Sequence, residues 1–367
     1  MNILIFILVL GVLVFVHELG HFLFAKLFNI RVDEFGFGYP PKMFKMFSWK
    51  GTNFTMNWIP FGGFVKIFGE SDDGNELTDQ EKKVSLIHKP RWQQFLVMFG
   101  GILFNIIFAW ILFSGIYMSG VTAPIESAPE NYSFEESRLI IGGVMAGAPA
   151  DEAGLIAGDE IVELFSPDGL QITIIDETIV EVSEFVNNQG QQDQSVGFVV
   201  LRDETLKTIE ITPQQGVVEG KYGVGINVDR VGELRLPVGQ ALIYGAKNTW
   251  EFTKLITAGF GQLVTGQVSA DNVSGPVGIV KQIGEASAVG FSYLLGFTAL
   301  LSINLAVLNL IPFPALDGGR ILIIFIESII GKRLKPNIVN WVNVIGFFVL
   351  IGLMLLVTAN DIIKLFS

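Results

Sequence analysis

Cysteine is absent from the 367 residues. That excludes disulfides, thiolate metal sites and a cysteine nucleophile. Histidine occurs three times, as His17, His21 and His88. Charge is scarce as well: 16% of residues are Asp, Glu, Lys or Arg, against about 25% in an average soluble domain. The balance leans acidic, 24 basic against 36 acidic residues, for a formal net of −12. Such a chain is a poor match for nucleic acid, whose phosphates call for Lys and Arg. Half of the residues are hydrophobic, so a disordered chain is excluded and an ordinary soluble enzyme disfavoured.

The apolar residues are clustered. A membrane span needs about 20 mostly apolar residues. Four stretches qualify, near residues 2–28, 95–118, 291–311 and 338–358. The first has no Lys or Arg ahead of its apolar run and no small-residue cleavage pattern, so it reads as a retained span and not a cleaved signal. Lys and Arg cluster between the first two spans and again after the third, from Arg320 to Lys335. The positive-inside rule places both loops in the cytoplasm. Both termini and the long segment 119–290 are then external. That segment carries nine basic and 24 acidic residues and alternates short β-rich runs with turn signals. Residues 238–264 follow an amphipathic helical pattern.

The early cytoplasmic loop, KMFKMFSWKGTNFTMNWIPFGGFVKIFG, is rich in aromatics. Phe54, Met56 and Trp58 share one strand face and Thr55 and Asn57 the other, with a turn near residues 50–53. It is either an amphipathic ribbon on the membrane surface or a β-element beside the spans whose edge is free to pair with a peptide.

The chemistry lies in ionisable groups inside apolar helices. The first span reads VFVHELGHFLF. His17 and His21, four apart, lie one turn apart on one helical face, a spacing that lets two imidazoles bind one Zn2+. Glu18 beside them can take a proton from water activated by the metal. Ionisable groups at this depth cost a few kcal/mol each unless they serve a site or pair with one another. A catalytic zinc needs a third protein ligand. His88, among Lys89, Pro90 and Arg91, reads as a surface residue. Asp317, in NLIPFPALDGGRIL, follows a helix break at Pro312 and Pro314 and is either that ligand or a plain turn residue. Asn105, Asn304 and Asn309 are further polar residues at depth. They serve either interhelical hydrogen bonding or substrate and oxyanion binding. Gly100 and Gly101 suit close helix packing.

These motifs together resemble the site-2 proteases, intramembrane zinc metalloproteases. HELGH, the NLIPFPALDGG stretch and SGPVGI carry the resemblance, which covers nearly the whole chain. It is nearest to the bacterial regulator-of-sigma-E type with a PDZ domain. GFGYPP and PFGGFVKIFGE look like that branch's membrane-associated β-region, and GGILFN like its second-span motif, with Ile102 where a proline is usual. RLIIGGVMAGAPADEAGLIAGDEIVEL resembles the start of a PDZ domain, and the chain has room for one.

The resemblance implies that His17, His21 and Asp317 bind Zn2+, that Glu18 is the general base, and that Asn309, Pro312 and Pro314 shape the substrate groove. The expected fold is an α-helical membrane protein with four transmembrane helices, a membrane-associated β-hairpin region and an external PDZ domain of α+β type. The expected divisions are a first span with HExxH at 1–28, a cytoplasmic loop with the β-region at 29–94, and a second span at 95–118. A linker at 119–137 leads to the PDZ domain at 138–230 and to an amphipathic helix and linker at 231–290. The third span, the Asp317 motif and a cytoplasmic loop occupy 291–337, and the fourth span 338–367. Expected partners are the lipid bilayer, single-span substrates of anti-sigma-factor or remnant-signal-peptide type, and a peptide or substrate ectodomain at the PDZ domain, which otherwise acts as a steric lid. The expected location is the bacterial inner membrane, with the active site toward the cytoplasm. Three rival readings are a membrane HExxH protease that cuts soluble loops, an inactive PDZ scaffold and a metal transporter.

Overall fold

The computed structural model describes residues 2–70, 77–125, 128–129, 132, 134, 137–173, 179–202, 205–218, 220–267 and 274–366. In chain order, α1 (Asn2–Leu27) leads into strands β1 (Val32–Trp49) and β2 (Thr52–Ile67), then α2 (Asp79–Val84) and α3 (Arg91–Ser119). Next come β3 (Val121–Pro124), β4 (Ser137–Val144), α4 (Pro149–Glu152), β5 (Glu160–Phe165), β6 (Gln171–Thr173) and α5 (Ile179–Gln191). Strands β7 (Val196–Arg202), β8 (Thr205–Ile211), β9 (Gln214–Val218), β10 (Lys221–Gly223) and β11 (Ile226–Leu234) follow. Helices α6 (Val238–Val264), α7 (Pro276–Val289), α8 (Phe291–Leu310), α9 (Asp317–Ile330) and α10 (Pro336–Phe366) complete the chain. The chain divides into two compact units, Met1–Met118 with Pro237–Ser367, and Ser119–Leu236.

In the first unit, α1, α3, α8 and α10 are long and apolar enough to cross a membrane. They close on one another through small residues. A Cβ on Gly20 of α1 would strike the Gly100 carbonyl of α3, so the two backbones meet where neither carries a side chain. The Ser302 hydroxyl of α8 donates to the Asn105 carbonyl of α3 at 2.8 Å. Helix α6 lies along α3, with Phe113 stacked on Phe252 and the Asn248 amide donating to the Tyr117 hydroxyl at 2.7 Å. The SGPVGI motif starts α7, with Pro276 at its first turn. Asp361, buried on α10, accepts from the Gly275 and Gly278 N–H groups at 3.0 and 2.8 Å and so caps α7 from across the bundle. Helix α9 occupies residues expected to form a loop. Its apolar positions recur at helical spacing over one short segment, too short to stand out as a span.

The β-region is more folded than one ribbon. Phe35 of β1 lies opposite Val65 on one side and Phe54 on the other, so β2 bends and places two legs around the start of β1. Thr55 and Asn57 are buried, and Trp58 is 63% exposed. Thr55 and Asn57 point inward because they are satisfied there, Thr55 donating to the Glu34 carboxylate and Asn57 to the Gly38 carbonyl, while Thr52 at the start of β2 donates to the Val32 carbonyl. The aromatics Phe44, Phe47, Trp49 and Trp58 face outward.

The second unit is an antiparallel sheet in the order β3–β11–β4–β5–β7–β8, with β6 on β5 and a separate β9–β10 pair. Its core packs Leu139, Ile141, Leu164, Phe198 and Val200 against Val182, Phe185 and Val186 of α5. Strand β3 falls within the stretch expected to be linker, and β11 runs past residue 230. Both are held by backbone pairing between residues 121–124 and 231–234. Asp159 is fully buried and takes a forked pair of hydrogen bonds from Arg202, each 2.6 Å, and one from the Ile156 N–H.

Burial alone raises the Asp159 pKa, but Arg202 and the Ile156 N–H outweigh it and hold the carboxyl below its usual range. A depressed folded-state pKa adds stability that is complete above the unfolded value and lost as pH falls through the folded one. The thermal midpoint of the second unit is therefore expected to fall on acidification below pH ~4, in a component that Asp159→Asn removes. Asp159→Ala takes the carboxylate from the half-buried Arg202 and the acceptor from the Ile156 N–H, and is expected to cost about 1–3 kcal/mol, measured by calorimetry on the full chain.

Candidate metal centre

The two histidines of α1 meet a carboxylate that follows them by about 300 residues. Asp317 Oδ2 lies 3.0 Å from His17 Nε2 and 3.2 Å from His21 Nε2, and the two Nε2 atoms are 3.2 Å apart. Zinc–ligand bonds of about 2.0–2.1 Å at tetrahedral angles put ligand atoms roughly 3.3 Å apart. The three donor atoms thus form one face of a tetrahedron of the right size. Asp317 Oδ2 is buried and has no hydrogen-bond partner, despite lying so near both imidazoles. A buried carboxylate oxygen left in this way is costly unless something else takes its charge. His17, His21 and Asp317 are the one such cluster among the described residues. The donor set fits Zn2+.

Each group is carried there for a local reason. The helical repeat puts His17 and His21 on one face, edge to face with ring centroids 4.8 Å apart. Asp317 opens α9, after a turn in which Ala315 adopts φ 70°. Gly318 and Gly319 are required behind it: a Cβ at either would strike the carbonyls of Ile311 or Phe313. The motif LDGG is therefore a carboxylate followed by two positions where a returning helix touches the backbone of its own approach.

Helix α3 supports the imidazoles. His21 Nδ1 is 2.8 Å from the Val97 carbonyl, and His17 Nδ1 is 3.1 Å from the Asn105 amide. Between them, a Cβ on Gly101 would lie 2.5 Å from His21 Nε2 and 2.7 Å from His17 Cε1. Residues 97, 101 and 105 repeat every four on one face of α3, matching 17 and 21 on α1.

The three donors open into a cavity of about 790 Å3, shared with Glu18, Tyr39, Phe64, Glu70 and Asn309. Of the polar residues marked in the sequence, Asn309 reaches this cavity and the others do not. Asn105 is fully buried behind His17. Asn304 lines an apolar groove between α1, α7 and α8. Pro312 lines a neighbouring groove beside Gly318, and Pro314 packs on Gly346 of α10. His88 lies outside the centre, its Nδ1 3.2 Å from the Ser85 hydroxyl. Glu70, which sequence reasoning missed, reaches the cavity from the turn just past the end of β2. Burial pushes its carboxyl up, offset in part by His21 and Arg320.

Residues 5–353 match peptidase family M50. A candidate zinc metalloprotease of Clostridium perfringens is 35% identical over 368 residues, covering 99% of each chain. Another, from Clostridium acetobutylicum, is 32% identical over 365 residues, 99% of this chain and 97% of its own. The zinc metalloprotease RasP of Geobacillus kaustophilus is 31% identical over 434 residues, 100% of this chain and 98% of the relative. With a family match along nearly its whole length, relatives of comparable extent and four apolar helices, the chain belongs to peptidase family M50, the site-2 protease family, and is a membrane zinc metalloendopeptidase.

Proposed function

We propose that the protein hydrolyses peptide bonds in or near the transmembrane segments of single-span membrane proteins, as a step of regulated intramembrane proteolysis. The convergence of His17, His21 and Asp317 beside Glu18, within apolar helices, supports this best. In this mechanism His17, His21 and Asp317 would hold the zinc. When bound, the metal supplies Lewis acidity and lowers the pKa of water. Glu18 takes the proton from the attacking water and returns it to the leaving amine. Asn309 holds the substrate backbone or the oxyanion from the cavity wall. Pro312 and Pro314 shape the approach by breaking the helix ahead of Asp317.

A transmembrane helix hides its peptide bonds in its own hydrogen bonds, so the substrate must unwind before it is cut. The leg of β2 at residues 63–67 borders the cavity through Phe64, Val65 and Ile67 and pairs with β1 on one side. Its other edge suits an extended segment. The second unit is read as a PDZ domain. Its groove between Val182 and Val186 of α5 and residues 222–227 suits an extended peptide or substrate ectodomain. The basic loops support an orientation with the termini and this unit external and the cavity toward the cytoplasm. Anti-sigma factors and remnant signal peptides are the substrate classes that the family resemblance implies.

Asn105 fits a positioning role better than substrate contact. As placed, its Nδ2 faces His17 Nδ1 and its Oδ1 is buried without a partner. Exchanging the two amide atoms, which have nearly equal shapes, lets His17 Nδ1–H donate to Oδ1. That removes the orphan and leaves Nε2 with its lone pair toward the metal.

Glu18→Gln is expected to keep full zinc content and to lose cleavage of a single-span substrate by about 10²-fold or more. Asp317→Asn is expected to lose both. Metal analysis of the detergent-purified protein and a gel assay check this. Cuts confined to extramembrane loops would favour the rival membrane protease. Asn105→Leu is expected to weaken zinc binding about 10–100-fold in chelator competition, with Asn105→Asp restoring it. Gly101→Ala, which drives a methyl into both imidazoles, is expected to lower zinc content with the helices still folded, as read by circular dichroism.

A further inference from the structure

A second polar cleft, lined by none of the three donors, runs along α9 from Arg320 in its first turn to the loop after its end, beside the starts of α3 and α10. It is small and partly open to solvent. Its charged lining residues are Arg91, Arg320, Arg333 and a single acid, Glu327, with Gln94, Asn340 and Asn343 among the neutral ones. Three arginines in one cleft of a chain this poor in charge call for an account.

Glu327 is already fully engaged. One oxygen accepts from Arg91 Nη1 at 2.6 Å and the other from the Leu334 N–H at 3.0 Å. Arg320 donates to the Glu70 carbonyl and Arg333 to the Ile87 carbonyl. These acceptors are neutral and fix the two side chains without cancelling their charge. A guanidinium has five donors, so each retains N–H groups for another acceptor. The Glu70 and Glu327 carboxylates both act electrostatically on Arg320. With both acids counted, the cleft keeps an excess of positive charge.

Its depth is marked by two tryptophans. Trp92 and Trp341 follow the cleft residues Arg91 and Asn340 and are 57% and 68% exposed. Exposed Trp at the ends of apolar helices marks the level of lipid headgroups. Lys332 and Lys335 flank Arg333 in the same loop. Basic pockets between helix ends on the cytoplasmic side suit anionic headgroups.

We propose that this cleft binds the phosphate of an anionic phospholipid, held by Arg320 and Arg333 with Asn340 and Asn343 as neutral donors. The lipid then joins the start of α3, which carries the support for both imidazoles, to α9, which carries Asp317.

The test uses the full chain in neutral detergent, with dihexanoyl phosphatidylglycerol, dihexanoyl phosphatidylcholine and inorganic phosphate as probes at equal ionic strength. Retention is read by native mass spectrometry and binding by the shift in thermal midpoint. Phosphatidylglycerol is expected to be retained and to raise the midpoint, and phosphatidylcholine to do neither. Arg333→Gln is expected to weaken retention about tenfold, as loss of one charge-assisted contact implies. Asn340→Asp, which places a carboxylate in the cleft, is expected to abolish retention, and Asn340→Ala to keep most of it, so that charge and not folding is read. Equal binding of the two lipids, or unchanged retention in both Arg333→Gln and Asn340→Asp, would overturn the proposal. A shift with inorganic phosphate equal to that with phosphatidylglycerol, erased by Arg333→Gln, would keep the anion site and overturn its assignment to lipid.

Discussion

The contact on which the rest of the first unit depends is the near-touching passage of α1 and α3. Two helices that cross at Gly20 and Gly100 come close enough for the carbonyl and amide groups of one to reach the side chains of the other. Both present the same repeat of four. Val97 therefore meets His21, Asn105 meets His17, and Gly101 leaves the space that the rings fill. A bulkier crossing would separate the helices, leave two imidazoles without orientation and remove the wall against which Asp317 closes. The cavity, the carboxylate of Glu18 and the bent β-region are arranged around that passage.

Placing these groups among apolar helices is costly, and the arrangement shows how the cost is contained. Each imidazole has one nitrogen beside α3 and the other in the metal cluster. The carboxylate between them faces two nitrogens and the open cavity. The β-region follows a similar economy. Its Thr55 hydroxyl and Asn57 amide turn inward to partners within the sheet, and Phe44, Phe47, Trp49 and Trp58 turn outward, while Phe35 stays in the core. In water this would be an inverted strand. Beside a bilayer or an unwound polypeptide it is the favourable orientation.

Much of this was legible in the chain itself, unevenly. The four spans and the histidine pair were visible because they are local: a run of apolar residues and a spacing of four need no knowledge of the fold. Residue spacing marks Asp317 as an acid next to a helix break and a candidate third ligand, and only the family resemblance singles it out, since its partners lie about 300 residues earlier. Val97 left no trace, because the group it contributes is a backbone carbonyl that every residue type has. Glu70 looked like any charge at the end of a polar loop. Asn105, Asn304 and Asn309 were indistinguishable as polar residues at depth, yet they lie behind the centre, in a lipid-like groove and in the cavity. Which helical face a residue occupies relative to distant helices is not written in its own neighbourhood. The bend of β2 was hidden likewise, because alternation identifies a strand and not the two partners it will serve.

Gly101 has an implication for descent. The volume between α1 and α3 that a side chain would normally fill is filled by two aromatic rings whose orientation is dictated by chemistry. The histidine pair is thus also mortar between the helices. A lineage that discarded the histidines for small residues would open a void at the crossing, and the simplest repair is a larger residue at 101. Retirement of the enzyme would then be dated not by the missing ligands alone but by the plug that replaced them.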